Sequence, residues 1–161
     1  MNTTILHLGS NLGDRKQTLE EARRQLEVCC GTLERVSGLY ETAPWGLTTQ
    51  PDYLNQALLL RTPLSAHELL RQMQAIEDRL GRERKQHWGP RTLDIDLLFF
   101  NREIIRDEHL QVPHPHLADR RFVLIPLVEI APDWIHPENG KTCSMLLDQC
   151  TDSGIVKPYI E

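Results

Sequence analysis

The sequence predicts an α+β fold in which helices cover both faces of a mainly antiparallel sheet. Strand-like and helix-like segments follow one another in the order strand, helix, strand, strand, helix, strand. That order is typical of a split β-α-β unit used twice, the βαββαβ core of ferredoxin-like folds. A further apolar helix follows and is expected to cover the second face. The length predicts a single domain over residues 1–161, with a poorly defined tail from about residue 141.

The first predicted elements are a strand and a helix. Residues 3–9 alternate in polarity, and Gly9-Ser10-Asn11-Leu12-Gly13 is a turn-rich run after them. From Arg15 the apolar side chains recur every three or four residues, which predicts an amphipathic helix. Gly31 is expected to end this helix in the left-handed conformation.

Two strands separated by a long loop come next. Residues 34–42 predict a second, partly polar strand, and residues 53–61 a third. The loop at residues 43–52 contains two prolines and a glycine. Loops of about this length without regular structure are often functional.

A second amphipathic helix is predicted after a capping box. In that motif Ser65 and Glu68 exchange hydrogen bonds with each other's backbone N–H groups, and Gly81 is a natural stop for the helix. Residues 82–92 are basic, polar and irregular. Residues 93–100 then predict a strongly apolar strand.

The C-terminal third is expected to be less regular. A short pairing segment is predicted at residues 103–106, and residues 114–119 are rich in turn signals. Residues 122–130 predict an apolar helix that is kinked at Pro126 or begins there.

Composition and charge exclude several classes of protein. The net charge of −5 argues against a protein coated for nucleic acid, and no apolar run approaches the roughly 18 residues of a membrane span. The start also lacks the basic segment of a secretory signal, so we expect a cytoplasmic protein. We also expect a monomer, with neither nucleic acid nor membrane as partner. The four cysteines form no disulfide framework, and reduced structural thiols are favoured over a zinc site.

Asp94 and Asp96 are the candidates for metal binding. On a strand their side chains share one face, about 6.5–7 Å apart, so both carboxylates can converge on a hard cation. Two carboxylates in so apolar a strand are costly unless they are neutralised, which favours a divalent metal. The alternative is that both lie at a solvated strand end.

Four basic side chains lie just before this strand: Arg82, Arg84, Lys85 and Arg91. Arginine binds phosphate in a bidentate manner, so arginines beside a carboxylate–metal site indicate a polyphosphate ligand. The flanking glycines can let the segment close as a lid that excludes water. Considered alone, such a basic loop is usually a solvated surface.

Tyr53, Asn55 and Trp88 would suit a flat heterocycle. A ring can stack on aromatic faces, and an amide offers both a donor and an acceptor. His114 and His116 flank a proline and can bind metal or phosphate, although a turn histidine is more often merely exposed.

Short motifs in chain order resemble those of one enzyme family. They are Gly9-Ser10-Asn11-Leu12-Gly13, Tyr40-Glu41-Thr42-Ala43-Pro44-Trp45-Gly46, Gln50-Pro51-Asp52-Tyr53-Leu54-Asn55, residues 88–98, Val112-Pro113-His114-Pro115, and Arg120-Arg121-Phe122 leading into Pro126-Leu127. The family is that of 6-hydroxymethyl-7,8-dihydropterin pyrophosphokinase, which moves a diphosphate from ATP to a pterin alcohol in folate synthesis.

The resemblance implies two Mg²⁺ ions, held by Asp94 and Asp96 and bridging the phosphates of ATP, the co-substrate. It makes Arg82 and Arg91, together with the two aspartates, the catalytic residues. The ATP-binding positions that it implies are Leu70, Gln74, Glu77, Arg82, Arg84, Trp88, Arg91, Leu97, His109, Gln111, His114 and Arg120.

The resemblance also implies a pterin pocket. Asn55 would meet the amide edge of the pterin, while Trp88 and Phe122 would sandwich its ring. The positions of the pocket are Thr42, Ala43, Trp45, Tyr53, Asn55, Trp88 and Phe122. This chain departs from the family pattern at Ala43 and Trp45, where relatives commonly have proline and leucine, and at His109 and Gln111, where they can carry arginine and threonine.

The implied reaction is in-line attack of the pterin hydroxymethyl oxygen on the β-phosphorus of ATP, with AMP leaving. Two alternatives are another two-metal phosphoryl-transfer or phosphodiesterase enzyme and a non-catalytic ferredoxin-like binding module. Release of AMP that depends on the added pterin alcohol would distinguish all three.

Overall fold

The computed structural model describes residues 1–43, 52–81 and 93–160. A short 3-10 turn, Leu117–Asp119, precedes the third helix. The strands and helices in chain order are β1 (Asn2–Ser10), α1 (Arg15–Cys29), β2 (Thr32–Val36), β3 (Tyr40–Thr42), β4 (Tyr53–Thr62), α2 (Ala66–Leu80), β5 (Asp94–Phe100), β6 (Ile105–Arg106), β7 (Gln111–Val112), α3 (Arg121–Ile130), α4 (Cys143–Gln149) and β8 (Val156–Pro158).

The main sheet is antiparallel at every described pairing. Its strands run in the order β5-β1-β4, after which β2 and β3 both pair with β4 and β8 pairs with β3. Strands β6 and β7 form a separate two-stranded ribbon. Strands β1 and β4 are neighbours at the centre of the sheet, although α1, β2 and β3 lie between them in sequence. This arrangement confirms the predicted ferredoxin-like βαββαβ core.

Each face of the sheet packs against its own pair of helices. On one face Leu6 and Leu8 of β1 join a core formed with α1 and α2. On the other face Ile5 and Phe99 pack under α3 and α4. Alternation along the strands therefore separates two cores, and the face under α3 is the one that carries the polar side chains of interest.

The capping box before α2 is present as predicted. The backbone N–H of Glu68 donates to Oγ of Ser65 at 3.2 Å, and the backbone N–H of Ser65 donates to Oε1 of Glu68 at 3.0 Å. Gly81 follows as the C-cap residue of the helix.

The prediction of a left-handed cap at Gly31 is wrong. Among the described glycines, only Gly13 and Gly140 have positive φ. Gly31 is required for a different reason, because a Cβ at this position would lie 1.9 Å from the carbonyl oxygen of Arg61. The glycine allows β2 to begin directly against the backbone of β4.

The strand expected at residues 34–42 is two strands, β2 and β3. The chain is interrupted at Ser37, whose Oγ accepts the backbone N–H of Ala57 at 2.9 Å, and at Gly38, whose N–H donates to the Glu129 carboxylate. The backbone N–H of Ser37 still donates to the carbonyl of Ala57 at 2.9 Å, but the return bond is made to the Ser37 side chain instead of its carbonyl.

The chain after Lys141 is more regular than its weak patterning predicts. Helix α4 begins at the Thr142 cap, and β8 adds an edge strand to β3. Between them, Oδ2 of Asp152 accepts the first backbone N–H of α3, from Arg121, at 3.0 Å. These short elements depend on docking against the rest of the fold, so they carry little periodicity of their own.

Across the described parts of the chain, no helix combines the length and apolar character needed to cross a membrane.

Candidate active site

A cavity of about 650 Å³ opens on the sheet face under α3, beyond the N-terminus of that helix. Four neighbouring strands, β5, β1, β4 and β3, supply its floor, and the 3-10 turn with the start of α3 supplies a wall. The described lining residues are His7, Gly9, Thr42, Ala43, Tyr53, Asn55, Asp94, Asp96, His116, Asp119, Arg120 and Phe122.

Strand register brings the polar side chains of the floor together. Gly9 of β1 lies between Asn55 of β4 and Asp94 of β5 as Cα partner of both. Two residues earlier on β1, His7 is the partner of Asp96. Because alternate residues of a strand share a face, Asp94 and Asp96 point to one side of the sheet, as their spacing predicted. His7 points to the same side.

Gly9 makes room at the centre of this floor. A Cβ there would approach Oδ1 of Asn55 to 3.3 Å and Cδ1 of Tyr53 to 3.9 Å. The missing side chain leaves space above the strand for a flat ligand between Asn55 and Asp94.

The amide of Asn55 has a fixed orientation. Its Nδ2 donates to Oγ1 of Thr42 at 2.8 Å, and both residues are buried. The Thr42 hydroxyl, having accepted this bond, keeps its own proton to donate, and the amide keeps its oxygen as an acceptor. This pair can therefore recognise a ligand edge that carries both a donor and an acceptor.

Tyr53 lines the cavity and is the strand partner of Thr42. Burial raises the pKa of its phenol, and the negative charge of Asp94 raises it further. The phenol therefore stays protonated and can donate a hydrogen bond across the neutral pH range.

Asp94 and Asp96 are both partly buried and both line the cavity. Carboxylate oxygens are the ligands that Mg²⁺ prefers, so this donor set fits a hard divalent cation. Over the described residues no group of three or more His, Cys, Asp or Glu side chains is arranged to hold a metal. A cation here would accordingly need water or ligand oxygens to complete its shell.

Two histidines lie close to Asp96. Burial lowers the pKa of His7, an effect that the Asp96 carboxylate partly offsets. Burial also lowers the pKa of His114, again opposed by Asp96. Nδ1 of His114 accepts the backbone N–H of His116 at 3.1 Å, which leaves Nε2 to carry the proton.

Arg120 is a cationic side chain on the wall of the cavity. Its guanidinium carbon lies 5.8 Å from the centre of the Phe122 ring, so charge and aromatic face are presented together. Three carboxylates line the described cavity, so the single charge of Arg120 leaves it unfavourable for a polyphosphate without metal. A metal ion bound by the carboxylates would reverse the sign of the local charge.

The expected nucleotide positions on α2 lie outside the cavity lining but beside β5. Leu70, Gln74 and Glu77 are spaced along one stripe of the helix. Oε2 of Glu77 accepts the backbone N–H of Ile95 at 2.8 Å, so this carboxylate also anchors the strand between the two aspartates.

Three other described candidates lie apart from the cavity. His109 and Gln111 are exposed, His109 just before β7 and Gln111 in it, and Asp107 of the same segment contacts His67 of α2 at 2.7 Å. The Leu97 side chain is buried in the core under α1 and α2. None of these three lines the cavity.

Five candidate residues lie outside the described residues: Trp45, Arg82, Arg84, Trp88 and Arg91. The basic segment that is expected to close as a lid lies there too, and its role stays a prediction.

His7 and Asp119 were not predicted from sequence, and Gly9 was interpreted only as part of a turn. A histidine in the apolar run of β1 resembles a satisfied core residue unless its strand partner, Asp96, is known. The available signal was the shared face of His7 and Gly9 two residues apart on a strand.

Comparison with protein families gives one extensive match. A family model described as 7,8-dihydro-6-hydroxymethylpterin-pyrophosphokinase (HPPK) matches residues 5–132. The 2-amino-4-hydroxy-6-hydroxymethyldihydropteridine pyrophosphokinase of Bacillus subtilis is 48% identical over 130 residues, which are 80% of this chain and 78% of the relative. The enzyme of the same name from a Synechocystis strain is 42% identical over 160 residues, covering 98% and 82% of the two chains.

Solved structures show the same fold. The wild-type HPPK-DHPS of Plasmodium falciparum superposes with a TM-score of 0.75 at 17% identity, over 92% of this chain. The match covers 44% of that longer chain. At this identity the likeness establishes the fold alone.

Proposed function

Because the chain belongs to the 7,8-dihydro-6-hydroxymethylpterin-pyrophosphokinase family, we propose that the cavity under α3 is its active site. The reaction transfers diphosphate from ATP to the hydroxymethyl group of 6-hydroxymethyl-7,8-dihydropterin and releases AMP, a step of folate biosynthesis. The observation that carries the proposal is that the hydrogen-bonded Asn55–Thr42 pair and two carboxylates share one cavity floor, on either side of Gly9.

The pterin is placed at the end formed by β3 and β4. Its amide edge meets Asn55 and Thr42, whose fixed hydrogen bond presents one acceptor and one donor. The Phe122 ring offers one aromatic face, and Trp88 is proposed to offer the other. Ala43 lines this end of the cavity, and Trp45 is proposed to border it.

The triphosphate is placed at the end formed by β5. We propose that Asp94 and Asp96 hold two Mg²⁺ ions there, since their oxygens fit this metal. Neutralisation of charge on the phosphate oxygens is the chemistry that Mg²⁺ supplies when it is bound.

Cationic side chains are proposed to grip the same phosphates. Arg120 would contact them from the wall, and His114, whose imidazole senses the charge of Asp96 but which is not among the lining residues, would donate through Nε2. Arg82, Arg84 and Arg91 would add guanidinium groups from the segment before β5. The α2 stripe of Leu70, Gln74 and Glu77 would border the nucleotide, with Leu97, His109 and Gln111 near it.

Transfer at this site depends on alignment rather than on covalent help from the protein. Good orientation of the two reactants contributes up to about 7–11 kcal/mol in favourable cases. The floor would hold the pterin alcohol toward the acidic end, where the proposed phosphate contacts would keep the reacting groups in line. No side chain is assigned as a covalent nucleophile or as a dedicated general base.

The first test replaces each aspartate separately. Asp94→Ala and Asp96→Ala are expected to lower kcat at least about a hundredfold. Each removes a proposed Mg²⁺ ligand, and with it part of the neutralisation of phosphate charge in the transition state. AMP release with and without the pterin alcohol measures the effect, and urea unfolding verifies the fold. Asp148→Ala, at an exposed position of α4, is the matched control.

Normal turnover in either aspartate variant would contradict the proposed metal site. AMP release by the unmodified enzyme without the pterin alcohol would instead indicate a different phosphoryl-transfer enzyme.

We also propose that the enzyme acts as a cytoplasmic monomer. All four cysteines are free, and burial raises the pKa of Cys30 to about 11 and of Cys143 to about 12, which supports unreactive thiols in a reducing compartment. Among the exposed large apolar side chains of the described residues, those in helices or strands, Val28, Val36 and Met145, lie on three different elements, which supports a monomer.

A further inference from the structure

We infer that His7 is a positioning residue for the pterin, acting through Phe122. The inference rests on the proposed function, which places Phe122 against the pterin ring. His7 lies on the central strand β1, is only 3% exposed, and lines the cavity. It is not among the residues that the family resemblance points to.

The backbone carbonyl of Phe122 lacks its ordinary helical partner. In an α-helix the carbonyl of residue 122 accepts the N–H of residue 126. Position 126 is a proline inside α3, which has no N–H to donate. The surroundings of this carbonyl are part-buried, and a polar group withdrawn from water is costly without a hydrogen bond, so another donor is favoured.

His7 supplies that group. Its Nε2 lies 3.3 Å from the carbonyl oxygen of Phe122, and since a carbonyl can only accept, Nε2 must carry the proton. The imidazole also meets the Phe122 ring edge to face, with centroids 5.9 Å apart and an interplanar angle of 61°. One side chain therefore holds both the backbone and the ring of Phe122.

The first turn of α3 is thus fixed at two adjacent residues. Asp152 accepts the N–H of Arg121, and His7 donates to the carbonyl of Phe122. Of these two contacts, only the one from His7 also touches the aromatic ring that borders the cavity. Its loss should shift that ring relative to Asn55 and weaken pterin binding, while the phosphate end changes less.

Two single variants and a control test this inference. His7→Ala is expected to raise the KM and Kd of the pterin about tenfold, and the KM of ATP less than about twofold, as for the loss of one hydrogen bond and a ring contact. His7→Gln retains an amide N–H near the position of Nε2 and should recover at least half of the loss. Pterin fluorescence with a non-hydrolysable ATP analogue measures Kd.

The matched control is His136→Ala. His136 is also buried and also meets an aromatic ring edge to face, that of Phe99, at 5.7 Å. It does not line the cavity, so this variant should lose stability in urea without a change in the Kd of the pterin.

A compensating variant tests the hydrogen bond itself. Pro126→Ala restores a backbone N–H at the position that serves the Phe122 carbonyl. The double variant with His7→Ala and Pro126→Ala should therefore bind the pterin more tightly than His7→Ala alone.

Three outcomes would overturn the inference. They are an unchanged pterin Kd in His7→Ala, equal increases in the KM of pterin and of ATP in that variant, or a failure of both His7→Gln and the double variant to recover pterin binding. Phe122→Ala separates this failure from failure of the proposed function. Loss of pterin binding in Phe122→Ala but not in His7→Ala refutes only the positioning role, whereas intact binding in Phe122→Ala refutes the proposed pterin site and the inference with it.

Discussion

At the scale of single residues, recognition depends on how polar groups are oriented before a ligand arrives. The Thr42 hydroxyl fixes the Asn55 amide through a 2.8 Å bond in a buried setting. An amide that is free to rotate would present the wrong edge part of the time. Orientation in advance therefore lowers the cost of binding.

Thr42→Val keeps the shape of the side chain but removes the acceptor for Asn55. We expect the KM of the pterin to rise about five- to tenfold with little change in the KM of ATP, since one oriented hydrogen-bonding group is lost. Steady-state kinetics with each substrate varied measures this. Thr62→Val is the control, because its buried hydroxyl bonds to the carbonyl of Cys30, away from the cavity. Equal pterin KM values in the two variants would contradict the role of Thr42.

Site residues could be predicted where their chemistry shows in the local sequence. The alternation of Asp94 and Asp96 with apolar residues indicated their shared face, which the structure confirms. His7 could not be found in this way, because its proposed role depends on contacts with Asp96 and Phe122, which lie far away in the chain. Residues that act through tertiary contacts leave no local pattern.

At the scale of elements, periodicity predicted the long helices and the buried strands. Helices α1 and α2 and strand β5 carry patterns that burial alone explains. Strand β8 was missed because only three residues pair and one is Pro158, which is tolerated at a sheet edge. The division between β2 and β3 was missed because it depends on Ser37 and Glu129 meeting across the fold.

Gly31→Ala tests the close approach between β2 and β4. A methyl group placed 1.9 Å from the Arg61 carbonyl oxygen forces the backbones apart, and we expect a loss of about 2–4 kcal/mol in unfolding free energy. Gly140→Ala is the comparison, since its surroundings are open but its φ is +72°, and it should cost about 1–2 kcal/mol. Urea unfolding measures the loss of unfolding free energy in both variants. A smaller loss for Gly31→Ala than for Gly140→Ala would contradict the steric explanation.

At the scale of the whole molecule, two cores on opposite faces hold the sheet, and the cavity proposed as the active site lies where one of them ends. The core under α3 and α4 ends where α3 begins, so the strands beyond it expose polar side chains. The organisation of residues 1–161 as a single domain stays a prediction.

Global stability should fall on mild acidification. Burial lowers the pKa of His136, which Glu138 partly opposes and Arg106 reinforces, and burial also lowers the pKa of His7 and His114. Below about 6.5 the unfolded chain binds protons that the folded protein does not, so the unfolding free energy decreases as pH falls. The lowered pKa values of Glu68 and Asp107 act in the same direction only below their usual values of 4.5 and 3.8.

Urea unfolding at pH 7.5 and pH 5.5 measures this effect. His136→Gln should reduce the loss of stability between these values while leaving turnover unchanged. A wild-type protein that is equally stable or more stable at pH 5.5 would contradict the assignment of neutral buried histidines.

The proposed function requires that the two carboxylates of β5 and the hydrogen-bonded Asn55–Thr42 pair serve one reaction. A crystal structure with a non-hydrolysable ATP analogue, Mg²⁺ and the pterin alcohol tests this requirement most directly. We expect cations coordinated by Asp94 and Asp96, and the pterin edge bonded to Asn55 with its ring against Phe122. Cations held elsewhere, or a pterin bound outside this cavity, would contradict the proposed function.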